Sequence, residues 1–134
     1  MPEVARRIDA QGAQALRELS AREQQVLRED DHSAAIRHSA DFHTRLARLA
    51  GNATLADFVE RLCFRSSLIL AVCGMPGHLG CETHDHDALI ALLEKGRGGE
   101  AAVRMGEHLR AVEATLAIVE EEQETPDLHR IFHV

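Results

Sequence analysis

Apolar residues recur with helical spacing almost from the start of the chain. Val4, Ile8, Ala15 or Leu16, Leu19 and Leu27 are separated by Arg, Glu and Gln up to a polar break at Glu29-Asp30-Asp31. A return every three or four residues suits one face of a helix, whereas a half-buried strand alternates. The pattern predicts a first helix over about residues 3–28. A second carries Ala35, Ile36, Phe42, Leu46, Leu49 and Ala50, with Asp31 or Ser33 as its N-cap and Gly51-Asn52 as its stop. The third runs from about Ala53 to just before Gly74 and turns apolar on most faces around Ile69 and Val72. Such a helix is expected to lie centrally.

Gly74 to Glu82 contains three Gly and Pro76 and reads as an exposed loop. A fourth helix starts near Thr83, with Asp85 and Asp87 where acidic groups meet the positive end of the helix dipole, and stops at Lys95-Gly96. The fifth extends from Glu100 through Val103, Met105, Leu109 and Val112 to Glu120-Glu121-Glu122, followed by Pro126 and a short tail over 123–134. There is no internal repeat. The expectation is an all-α fold, an antiparallel bundle of about five to seven helices forming a single domain over residues 1–134, its helical core at about 3–122.

Composition agrees with this. The 134 residues are 45% hydrophobic, enough to build a core without staples, and hold four Phe but no Trp or Tyr. Strand-favouring aromatics are scarce and helix formers abundant. The net charge of −7 would repel a phosphate backbone, so the chain by itself is not expected to bind nucleic acid. Cys63, Cys73 and Cys81 are odd in number and make no CxxC pair, which points to neither a disulfide framework nor a zinc knuckle and favours a reducing compartment. The sequence shows no leader pattern, and its longest apolar run, Ser67 to Cys73, is far too short to cross a bilayer. A cytoplasmic protein without membrane partners is expected.

The candidate chemistry lies in the nine histidines. His43 shares a helix face with Ile36, Ser39, Leu46 and Ala47, His86 with Leu89, Ile90 and Leu93, and His108 with Met105, Ala111 and Val112. Three imidazoles on three inward stripes can converge inside a bundle and hold Zn²⁺, Ni²⁺ or a related ion. Any one of them alone is more often a hydrogen-bonded core residue than a ligand. His84 is expected at the rim, and His32, His38, His78, His129 and His133 on the surface. Cys81 is close enough in sequence to His86 to be a conceivable extra ligand. Arg65, inside the apolar part of the third helix, reads as a buried cation that requires either a protein carboxylate or an anionic ligand.

Taken together, Phe42-His43, Ala50-Gly51-Asn52, Arg65-Ser66-Ser67-Leu68-Ile69, Asp85-His86-Asp87-Ala88-Leu89-Ile90 and Met105 with His108-Leu109 resemble the FadR-type C-terminal domain of GntR-family transcription regulators. The resemblance spans about residues 5–120, and its spacings are 43 residues from His43 to His86 and 22 from His86 to His108. It implies an antiparallel helical bundle that binds a small carboxylate or sugar acid, in many members beside a divalent metal held by one Asp and three His. The histidines carry over onto His43, His86 and His108. The Asp does not: Ser39 stands four residues before His43, and Asp41 is out of register. Ser39 is therefore the possible fourth ligand or a water-binding position, and Arg65 a candidate for effector binding.

The resemblance further implies a bacterial homodimer whose contact with DNA comes only through a winged helix-turn-helix, a module absent from this chain, since neither a recognition-helix pattern nor a basic patch precedes Glu3. The reading is thus a metal- and effector-binding regulatory domain and not an enzyme. The rival is a stand-alone His-ligated metalloenzyme of hydrolytic type, since three histidines with an open position also activate water. Against it stands the absence of an evident inward Glu or Asp beside the three histidines.

Overall fold

The computed structural model describes the backbone of residues 1–73 and 83–122 and the side chains of 1–70 and 85–114. The expected loop at 74–82 and tail at 123–134, with His78, Cys81, His129 and His133, lie outside the described residues, as do the side chains of Cys73 and His84. Six helices and no strand occur among the described residues: α1 (Pro2–Arg7), α2 (Ala10–Arg28), α3 (His32–Leu49), α4 (Ala53–Cys73), α5 (Thr83–Glu94) and α6 (Gly98–Glu122). The fold is all-α, as the periodicity requires.

The one long helix expected over 3–28 is two. Asp9, extended at φ −107° and ψ 179°, accepts a hydrogen bond from the Gly12 backbone N–H at 2.7 Å and caps α2 afresh. An Asp at an N-cap satisfies an amide that the helix itself leaves without a partner. The short α1 thereby folds back against α3, α5 and α6 and brings Val4 into the core.

Local chemistry makes the turns. At the end of α2 the Asp31 N–H bonds to the Val26 carbonyl at 2.9 Å and the Asp30 N–H to that of Leu27 at 3.1 Å, a Schellman closure with Asp30 at φ 57°. Asp is one of the few side chains that tolerate this left-handed backbone. Asp31 then accepts from the Ala34 N–H at 3.0 Å, so of the two expected caps Asp31 is the one used. Asn52 caps α4 in the same way through Leu55. At the end of α5, Arg97 N–H to Leu92 and Gly96 N–H to Leu93 repeat the Schellman pattern, with Gly96 at φ 71°. Gly98 matters for a different reason: a Cβ there would lie 2.7 Å from the Cα of Pro2, so its lack of a side chain lets α6 approach α1.

These short turns send α2, α3 and α4 back and forth. α2 packs on α3 and α5, α3 on α4, and α5 on α6. The core is built from Leu16 of α2, Phe42 and Leu46 of α3, Leu89, Ile90 and Leu93 of α5, with Val4 and Ala101 closing its ends. Contrary to the central position expected for it, α4 is peripheral. Of its large apolar side chains Leu55, Phe58, Leu62, Phe64, Leu68 and Ile69 are all exposed, and its inner face is carried by Ala56, Val59, Cys63 and Ser67. His32 and His38, expected on the surface, are half-buried, and the Nδ1 atom of each is buried without a hydrogen-bond partner.

Leu16 is wholly buried. Leu16→Ala is expected to cost about 2–5 kcal/mol in urea unfolding. Arg17→Ala, which removes only the exposed pairing with Glu94, should cost under about 1 kcal/mol.

Candidate metal centre

α3, α5 and α6 each deliver one histidine to the same place. His43 follows Phe42 on the inner face of α3, His86 lies in the first turns of α5, and His108 stands midway along α6. His86 and His108 are buried and His43 is partly so. The ring centroids form a nearly equilateral triangle, with His43 to His86 at 5.2 Å, His86 to His108 at 5.2 Å and His43 to His108 at 5.4 Å. One ring nitrogen from each lies within 4.8 Å of the others, close enough for the three to hold a metal ion.

Two of the rings are fixed by carboxylates. His86 donates its Nδ1–H to Glu23 Oε2 at 2.8 Å, and Phe42 stacks on the same ring at 4.0 Å and 8°. His108 donates its Nδ1–H to Asp85 Oδ2 at 3.2 Å, and Arg104 stands 3.5 Å from the other oxygen of Asp85. A ring whose Nδ1 carries the proton presents Nε2 as a lone pair, and carboxylates placed in this way orient metal-binding histidines. The His86 Nε2 is buried and has no hydrogen-bond partner. A buried nitrogen left unpaired in this way is costly in a protein interior, and an ion would satisfy it.

Electrostatics favour the neutral rings that a metal requires. Burial, reinforced by His86 and His108, pushes His43 from 6.5 down to about 3. Burial also lowers His108, against the opposing pull of Asp85. The residues present therefore fit a divalent metal in number and orientation, and the lowered His43 and His108 favour neutral rings there.

Beside His43 a cavity of about 510 Å³ opens between α3, α4 and α6. Its wall includes Ser39, one turn before His43, and Glu23, so the histidine cluster lies at the edge of a space large enough for a small ligand. A family model described as FCD domain matches residues 1–111. The chain belongs to the FCD family. An FCD domain is the FadR C-terminal effector-binding domain of GntR-family regulators, a regulatory module. Comparison with curated proteins and with solved structures returned no match.

Within this FCD domain the sequence-derived candidates fare differently. His43, His86 and His108 come together, and Ser39 lines the adjoining cavity. Arg65 does not join them: it is exposed on α4, in a shallow recess with Asp57, Glu60, Arg61 and Phe64. The expectation of a buried Arg is thus corrected. Arg65 lies two residues from both Cys63 and Ser67, about 200° around the helix from the inner face that they mark. Also corrected is the expectation that no inward acid accompanies the histidines, because Glu23 is 2% exposed and bonded to His86. Its signal was present in the sequence: Glu23 occupies a position of the apolar stripe between Leu16 and Leu27. Asp85 was legible only as a helix-start acid.

The lowered His43 makes a pH prediction. Between about 3 and 6.5 the unfolded chain binds a proton at this ring and the folded chain does not, so stability falls as pH falls below 6.5. For metal-free protein the loss at pH 5 relative to pH 7 should be about 2 kcal/mol from His43. Urea unfolding at both pH values checks this, and His43→Gln should remove most of the difference.

Proposed function

We propose that this FCD domain senses a small carboxylate metabolite through a divalent transition metal, zinc or nickel, held by His43, His86 and His108. The observation that carries this reading is the convergence of three imidazoles beside a cavity, two of them oriented by carboxylates and one with an unpaired buried Nε2. When bound, the ion supplies a Lewis-acidic position for an anion's oxygen. Glu23 and Asp85 keep the protons of His86 and His108 on Nδ1, and Ser39 offers a hydroxyl from α3 in place of the family's carboxylate. Arg65 has no part in this reading. Both inward acids are engaged with ring nitrogens, which gives them an orienting role and favours the sensor over the hydrolytic alternative.

In the same reading the domain works as a homodimer in a bacterial cytoplasm and has contact with DNA only through a winged helix-turn-helix module. The outward face of α4 supports the dimer, since Phe58 and Phe64 are 62% and 66% exposed. Large apolar side chains exposed on one helix in this way are common at protein contacts. Among the described residues no helix is long and apolar enough to cross a membrane.

Metal analysis on protein purified without chelator tests the centre. One ion per chain is expected. His86→Ala should lose it and His38→Ala retain it, Glu23→Gln should weaken binding about 10–100-fold, and Ser39→Asp should tighten it. A small carboxylate, with acetate as the probe, should bind reversibly, without turnover, and more weakly once the metal is stripped. Equal metal content in His86→Ala and His38→Ala would refute the centre, and steady product formation would refute the sensor.

A further inference from the structure

The wall of the cavity beside His43 restricts the kind of carboxylate that fits. Val4, Leu46, Val59, Leu70, Met105 and Val112 make most of its described wall apolar. Polar groups are few and partly engaged: the Ser67 hydroxyl donates to the Cys63 carbonyl at 2.7 Å, and Glu23 accepts from His86 at 2.8 Å. No Arg or Lys is among the lining residues described.

A polyhydroxylated acid would leave its hydroxyls facing hydrocarbon, each having given up water without a replacement partner. A second or third carboxylate would meet no cation. An aliphatic tail gains from the same wall, because each methylene leaves water for an apolar surface. The polar edge of the cavity, at Ser39 and His43, lies beside the three-histidine cluster. We propose that the ligand of this site is a monocarboxylate with an aliphatic tail, its head at the His43 and Ser39 edge and its tail along the wall formed by α3, α4 and α6. This rests on the reading that a carboxylate binds at the three-histidine centre.

Calorimetry on the full chain tests it, using zinc-loaded and zinc-stripped protein with butanoate, hexanoate and octanoate, and with gluconate as a hydroxylated acid of the same carbon count as hexanoate. In the loaded protein affinity should climb about fourfold per added methylene, and gluconate should bind at least about tenfold more weakly than hexanoate. Val59→Phe, which fills the cavity from α4, should cut octanoate affinity about tenfold and leave butanoate nearly unchanged. Ala47→Leu fills it from α3 and serves if the first variant fails to fold. A flat series, or gluconate binding more tightly than hexanoate, overturns the proposal. If that gluconate binding is lost with zinc, the carboxylate-on-metal reading survives the failure. A rising series that is the same after zinc is stripped upholds the apolar tail and overturns the reading on which it rests.

Discussion

Taking three imidazoles out of water at one point is the demanding step in this fold. A buried polar ring is costly unless its charge is suppressed or its nitrogens find hydrogen-bond partners. His43 takes the first course, pushed to about 3 by burial and by the two other rings. His86 and His108 each place one ring nitrogen on a carboxylate, Glu23 and Asp85. Phe42, itself fully buried, covers the flat face of His86 and so turns a polar ring into a packing element. The cluster is thus a polar centre within an otherwise apolar core of Leu16, Leu46, Leu89, Ile90 and Leu93.

Such a centre works only if α2 and α5 meet in one register, and a polar seam enforces it. Ser20, Glu23 and Gln24 lie on one face of α2 at i, i+3 and i+4. The buried Ser20 hydroxyl donates to Asp87 at 2.8 Å, and the Gln24 amide donates to the other oxygen of Asp87 at 2.9 Å. Farther along, Arg17 pairs with Glu94 through Nη1 and Nη2 of its guanidinium. A slip of one residue along α5 would bring the carboxylate of Asp85 or Asp87 to the position of His86, against buried Glu23. The like-charge repulsion makes that alternative unfavourable. The seam adds some stability, but its larger effect is to specify which residues of α5 face α2.

The proposed sensing role draws on how differently the two sides of the histidine cluster are built. On the α2 and α5 side it is packed and hydrogen-bonded. On the α4 side it borders a cavity whose outer wall belongs to a peripheral helix with an exposed apolar face. A ligand in that cavity would touch α3, α4 and α6 together. Coupling to a partner subunit requires different affinities for two arrangements of those helices, and α4, with little core of its own, is the element through which such a difference could be expressed.

Much of this was legible in the sequence. Helical periodicity, the cap at Asp31 and the stops at Gly51-Asn52 and Gly96 are local properties, set by interactions within a few residues. The stripe positions of His43, His86 and His108 marked those side chains as inward for the same reason. What the sequence did not reveal was partnership and placement. Asp9 divides the first helix because its side chain caps a new one, while the run of Val4, Ile8 and Leu16 reads as continuous. Arg65 looked buried because its neighbours are apolar, yet α4 lies at the edge of the bundle and turns that side outward. Glu23 reaches His86 across 63 residues of chain. Periodicity determines which way a side chain faces its own helix axis; the packing of distant helices determines what it meets there, and only the tertiary structure contains that information.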